Sequence, residues 1–251
     1  MQELSGQDRK LEQAVVLAGG LGTRLGALSA QVPKSLAPLR GRPFLEYQLR
    51  LLAGNGISEI LLLTGHLGDQ IEAVFGSGQA LELNIQYSRE ETPQGTAGAL
   101  ALAAPRLLPD FFLVYGDSLL DLDYQAAARA CRNLRPPGAA GLMAVCPVDL
   151  ESDFLGNAKL DPTGSRVISY AKAHGGDHDH VDAGVLVLTR EVTAWIPQGR
   201  PAALEECVYP RLASEGRLVA YRSPAKFYDI GTPDRLAQFE RVIASSARED
   251  R

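Results

Sequence analysis

The chain has 251 residues, 45% of them hydrophobic and 22% charged, enough to bury roughly 70–75% of its unfolded surface, and no apolar run approaches the 18 residues of a membrane span. These fractions exclude disordered and membrane-spanning classes, and a net charge of -5 gives no field that would hold nucleic acid or an anionic membrane non-specifically. Cys131, Cys146 and Cys207 are widely spaced and form no CxxC, so neither a disulfide framework nor a zinc site is expected and a cytoplasmic location fits.

Residues 1–12 are polar, lack the apolar core of a secretion signal, and read as an N-terminal extension. From residue 14 short apolar runs alternate with amphipathic stretches. Strands are predicted over 14–18, 57–63, 83–87 and 111–115, and helices over 43–53, 67–75, 96–103 and 124–133. This βαβα order implies an α/β, Rossmann-like fold with a mostly parallel mixed sheet buried on both faces and flanked by helices. After about residue 137 the rhythm changes to strands at 141–148, 158–160, 166–170 and 183–188, with a hairpin turn at 161–164. Helices at 203–214 and 233–244, separated by a strand at 218–222, close a single domain spanning 13–245, and residues 246–251 read as a tail. The sequence shows neither an internal repeat nor a hexapeptide array, which removes one trimerisation device and leaves a homo-oligomer open.

The most informative segment is VVLAGGLGTRLG, residues 15–26, a strand running into a Gly-rich turn. Glycines let the backbone approach a ligand, and successive free N–H groups in such a turn make an anion nest. Arg24 adds a planar, permanently charged fork for phosphate oxygens. The dinucleotide fingerprint fits at Gly20 and Gly22, but Leu25 occupies the third glycine. A P-loop fails because Pro33 precedes Lys34-Ser35. A tight βα turn without a ligand is the alternative. Only five of the 25 basic residues are lysines, and two of them, Lys34 and Lys172, fall in stretches of interest; a compact ammonium suits a point contact to one phosphate.

The strings LAGGLGTRL, PKSLAPLRGRPFLEYQL, TPQGTAGAL, VYGDS, DAGVLVL and FYDIGTPDRL, in this order over residues 14–245, resemble the sugar-1-phosphate nucleotidyltransferases, or nucleoside-diphosphate-sugar pyrophosphorylases. GRPFLEY, GDQIEAVFG and FYDIGTPDRL are most similar to the D-glycero-D-manno-heptose 1-phosphate guanylyltransferases within that family. The resemblance implies a GT-A-like nucleotidyltransferase fold, with a nucleotide-binding half at about 13–137 and a sugar-binding half at about 138–232. It implies transfer of a nucleoside monophosphate, best GMP from GTP, to a sugar 1-phosphate, best a heptose phosphate, with Mg²⁺ as cofactor and the two phosphates as partners.

Carried over by position, Leu17, Ala18, Gly19, Gly20, Gly22 and Thr23 would hold the nucleotide, while Arg24 and Lys34 would neutralise its triphosphate. Gln94 and Gly95, at a helix entry, would read the base, with Thr96 also binding substrate. Asp117 and Asp229 would share the Mg²⁺, with Asp117 also catalytic; two carboxylates with phosphate oxygens and water suit a hard octahedral cation. Lys172 would grip the sugar phosphate, and Asp182 and Gly184 would contact the sugar.

The chain departs from the family at Asp182, where Asn is usual, at Ala171, often Glu, and at Ser35, often Pro. The first two bear on the acceptor's identity. Three of the four histidines, His174, His178 and His180, lack helical ligand spacing and read as a solvated loop rather than a metal site, with a lid over the sugar open. Asp121 and Asp123 read as favourable charges at the start of the next helix. Alternatives are UTP, dTTP or CTP with another sugar phosphate, a non-catalytic module that senses an NDP-sugar, or a phosphocholine-type substrate caged by Tyr170 and Tyr228.

Overall fold

A computed structural model describes residues 10–20, 31–134, 140–148, 154–172, 177–225 and 227–249, with side chains up to residue 244. Its centre is a nine-stranded mixed sheet. β1 (Gln13–Leu17) pairs in parallel with β4 (Glu59–Thr64) on one side and β6 (Asp110–Tyr115) on the other, and β4 pairs in parallel with β5 (Asn84–Arg89). Helices α1 (Phe44–Gly54), α2 (Gly68–Phe75) and α3 (Gly95–Ala103) are the crossovers that parallel pairing requires.

Successive residues of β1 and β6 serve opposite faces, as a period of two dictates. Val16, Phe112 and Val114 pack with α1, α2 and α4 (Tyr124–Leu134), whereas Val15, Phe111 and Leu113 pack with α3. Both faces are therefore covered, which is why these strands read as unbroken apolar runs. The chain leaves β1 toward β4 and β5, then returns to β6 on its other side. β1 and β6 thus flank the point where strand order reverses, the place at which open α/β sheets leave a crevice beyond their strand ends.

The second part of the chain reverses the polarity. β11 (His180–Thr189) runs antiparallel to β6 and to β8 (Gly141–Pro147), β12 (Leu218–Arg222) pairs in parallel with β8, and β9 (Ala158–Leu160) with β10 (Val167–Tyr170) forms the hairpin expected around residues 161–164. β11 begins three residues before the predicted strand and carries a register shift between Asp182 and Leu186. The DAG string is therefore an irregularity inside a strand, with Gly184 at φ +74°, and not a turn before one. Such bulges bend a strand and re-aim its side chains.

The single helix expected over 203–214 is two, α5 (Leu204–Cys207) and α6 (Tyr209–Ser214). Pro210 lacks an N–H and its ring clashes with the carbonyl four residues back, so one continuous helix cannot form. Short pairs escaped the sequence reading: β2 (Pro38–Leu39) with β3 (Arg42–Pro43), and β7 (Ser118–Leu120) with β13 (Phe227–Asp229). α7 (Pro233–Glu249) lays Phe239 against Phe44, Leu39 and Ile230 in a separate apolar cluster. No helix among the described residues is long and apolar enough to cross a membrane.

Candidate active site

A cavity of about 340 Å³ lies beyond the C-terminal ends of the parallel strands. β1 feeds Leu17, Ala18, Gly19 and Gly20 into its wall. Ala18 donates to the Leu63 carbonyl at 2.8 Å and Gly116 to the Leu17 carbonyl at 3.0 Å, so pairing continues to the rim. A Cβ on Gly116 would sit 2.6 Å from the Leu17 oxygen, which is why glycine follows β6. Gly22, Thr23 and Arg24 lie outside the described residues.

Lys34, on a 3₁₀ turn at Lys34–Leu36, places its Nζ 2.6 Å from Asp117 Oδ2 in the same cavity. The buried Gln48 amide of α1 donates to the carbonyls of Tyr115 at 2.9 Å and Ser118 at 2.6 Å, fixing the turn that presents Asp117. Ser35 also lines the cavity, and its buried hydroxyl has no partner among the described residues.

Gly95 and Thr96 line the opposite wall. Gly95 has φ +73°, and a Cβ there would fall 2.4 Å from the Ala202 carbonyl oxygen. Gln94 is not among the lining residues: its carbonyl accepts from Ala202 at 2.8 Å, its N–H donates to Glu90 Oε2 at 2.9 Å, and its carboxamide donates to Thr92. Its side chain is not in the cavity wall.

A second cavity of about 280 Å³ gathers Lys172, Asp182, Gly184 and Asp229. Tyr115 lines both cavities. Its hydroxyl donates to Glu205 Oε1 at 2.8 Å, and Thr96 donates to Glu205 Oε2 at 2.8 Å, so one carboxylate of α5 ties the two chambers together. Asp182 Oδ1 accepts the Gly184 N–H at 2.9 Å. Burial pushes the Asp182 carboxyl up to about 7; the Gly184 N–H opposes this and the Glu205 charge adds to it. Lys172 pairs with Glu206 at 2.9 Å, a contact that raises the lysine's pKa.

Asp117 and Asp229 arrive together through the short β7–β13 pair. Asp229 stands opposite Ser118, and the Ile230 N–H donates to the Asp117 carbonyl at 3.0 Å. Each carboxylate is balanced by a cation, Asp117 by Lys34 and Asp229 by Arg235 Nη1 at 2.7 Å.

Residues 13–246 match the description "Nucleotidyl transferase". The chain belongs to the nucleotidyl transferase family. A mannose-1-phosphate guanylyltransferase of Mycobacterium tuberculosis is 34% identical over 93% of this chain and 66% of its own length, so the chain spans just under two thirds of that relative. A D-glycero-alpha-D-manno-heptose 1-phosphate guanylyltransferase of Aneurinibacillus thermoaerophilus is 27% identical over 91% of this chain and 97% of its own. In fold, HddC from Yersinia pseudotuberculosis, solved in complex with GMP-PN, superposes with a TM-score of 0.77 at 24% identity over 91% of this chain and 97% of its own.

Within this nucleotidyl transferase, sequence reasoning missed Glu90, Tyr115, Glu205 and Arg235. Glu90 follows the last residue of β5, and the strand-end rule applied to the predicted strand would have pointed to that neighbourhood. Glu205 lay hidden in what read as an ordinary helix. Asp123 Oδ1 accepts the Ala126 N–H at 2.8 Å and caps α4. His178 meets Ser169 at 3.0 Å and His180 meets Asp179 at 2.7 Å, and the described residues contain no metal-binding cluster of three; His174 lies outside them. Tyr170 lines the second cavity, but Tyr228 packs on Phe239 with ring centroids 5.4 Å apart, so the two form no cage.

Proposed function

We propose that this chain transfers GMP from GTP to a manno-configured sugar 1-phosphate, D-mannose or D-glycero-D-manno-heptose, releasing pyrophosphate. The observation that carries this reading is the pair of cavities sharing Tyr115, with Lys34 and Asp117 in the first and Lys172 and Asp229 in the second. The likeness to guanylyltransferases acting on these two sugar phosphates supports the choice of substrates.

In the reaction a phosphate oxygen of the acceptor forms a bond to the α-phosphorus of GTP while the bond from that phosphorus to the β-phosphate bridging oxygen breaks, and the electron pair leaves with pyrophosphate. Little covalent work falls to the protein. Its share is positioning and charge compensation. Lys34 meets negative charge at the triphosphate, and the Ser35 hydroxyl beside it, which has no partner among the described residues, can donate to a phosphate oxygen. Lys172 meets the acceptor phosphate, and Arg24, which lies outside the described residues, is assigned to the triphosphate by the family resemblance.

Asp117, in the turn between β6 and β7, and Asp229, at the end of β13, offer hard oxygen donors, a set that fits Mg²⁺. A bound Mg²⁺ would supply Lewis-acid neutralisation of phosphate oxygens. Lys34 and Arg235 hold these carboxylates in place. Asp117→Ala is expected to lower turnover by about 10³-fold or more with an unchanged circular-dichroism spectrum, because the Asp117 side chain is 42% exposed and carries no core packing.

Pyrophosphate release across GTP, UTP, dTTP, CTP and ATP, each with heptose, mannose, glucose and amino-sugar 1-phosphates, tests the reading. Release with GTP and a manno-configured phosphate is the expected result. Release with another pair corrects the substrates, and nucleotide binding without release moves the chain to the sensing class.

A further inference from the structure

The first cavity is electrically polarised along its length. Its wall contains two acidic side chains, Asp117 and Glu90, and one basic one, Lys34, among the described residues. Asp117 follows β6 and pairs with Lys34, whereas Glu90 follows β5. In the sheet order β6-β1-β4-β5 these two ends are three strand spacings apart, on the order of 14 Å. A nucleotide laid across the strand ends therefore has its phosphates at Lys34 and its base at Glu90.

Glu90 is held at that end from several sides. Its N–H donates to the Thr64 carbonyl at 2.9 Å, and its Oε2 accepts the Gln94 N–H at 2.9 Å. Its Oε1 lies where a Cβ on Gly65 would be only 2.9 Å away, so the glycine at that position leaves room for the carboxylate. Burial raises the carboxyl pKa, and the Gln94 N–H acts against it. A partly desolvated carboxylate with one N–H donor gains from further donors.

We infer that Glu90 reads the Watson–Crick edge of guanine and selects GTP over the other nucleoside triphosphates. An ionised carboxylate is an acceptor only. Guanine presents two adjacent donors, N1–H and the 2-amino group, which match its two oxygens. Uracil and thymine flank their single N–H with carbonyl oxygens, and adenine and cytosine place a ring acceptor beside their amino group. Each would bring a lone pair against the carboxylate. This inference rests on the nucleotide reading of the cavity proposed above.

The test is calorimetric binding of GTP, ITP, ATP and UTP to the full chain and to Glu90→Gln and Glu90→Asp. ITP keeps N1–H and lacks the 2-amino group. The wild-type protein is expected to bind GTP at least tenfold more tightly than ITP and more tightly still than UTP. Glu90→Gln keeps an oxygen for the Gln94 N–H but loses the second acceptor. It is expected to weaken GTP at least tenfold, leave UTP unchanged or tighter, and leave mannose 1-phosphate binding and melting temperature as they were. Glu90→Asp is expected to bind GTP more weakly while keeping the GTP preference. A Gln variant with the wild-type ratio of GTP to UTP, or a wild-type protein that prefers UTP or binds ITP as well as GTP, overturns the role of Glu90 while leaving nucleotidyl transfer intact. A wild-type protein that binds none of the four overturns the nucleotide reading, and this inference with it.

Discussion

Asp182 occupies the position at which an acid departs from the asparagine usual in the sugar-1-phosphate nucleotidyltransferases, and burial lifts its carboxyl from 3.8 to about 7. Between those values the folded chain holds a proton that the unfolded chain has released, so stability falls as pH rises from about 4 to 7 and the loss is complete above the folded value. Asp182→Asn removes this dependence. It is expected to raise the melting temperature at pH 8 by about 3–6 °C and to leave it unchanged near pH 4, read by thermal unfolding at the two pH values. The identity of Asp182 was legible in the sequence, but its energetic state was not. The state depends on Gly184, two residues on in the chain, and on Glu205, which only folding brings near. Lys34 and Asp117 show the same division: each was readable alone, and their 2.6 Å pairing across 83 residues of chain was not.

The start of α3 is held in a tightly constrained geometry. Gly95 combines a positive φ with a 2.4 Å approach of any added Cβ to the Ala202 carbonyl, and the Ala97 N–H donates to that same carbonyl at 2.9 Å. Gly95→Ala is expected to cost about 2–4 kcal/mol in urea unfolding, and to weaken nucleotide binding by moving Thr96 off Glu205. Long elements were readable, β4 and β6 from apolar runs of four residues and α1 from an apolar period that persists over three turns. The β7–β13 pair was not, since three residues show no period and the partners lie more than 100 residues apart. Yet this ladder sets Asp229 beside Asp117. The DAG bulge was legible as a motif, and its place inside β11 was fixed by pairing to β8 and β6.

At the scale of the whole molecule, β6 joins the two parts of the sheet, parallel to β1 on one edge and antiparallel to β11 on the other. Leu113 of β6 is fully buried. Leu113→Ala is expected to destabilise the protein by about 2–5 kcal/mol, with urea unfolding still a single transition seen alike by circular dichroism and by Trp195 fluorescence. A separate early transition for either probe would show that the parts of the sheet unfold independently. The parallel part was legible from the βαβ rhythm. The reversal at β11 was not, because an antiparallel strand between two others carries the same apolar run as a parallel one.

The placement of β11 also has a consequence for the chain as it is made. β6 ends at Tyr115 and β11 begins at His180, so about 65 residues must be synthesised before the outer edge of β6 can find its partner, roughly 3–13 s at ordinary translation rates. During that interval an apolar strand, Phe111 to Val114, presents unpaired N–H and C=O groups in a nascent polypeptide whose first four parallel strands can already assemble. A ribosome stalled once β6 has cleared the exit tunnel, but before β11 is made, is expected to expose a template for strand addition. Synonymous codons across residues 116–180 therefore bear on solubility without altering a single contact of the finished protein.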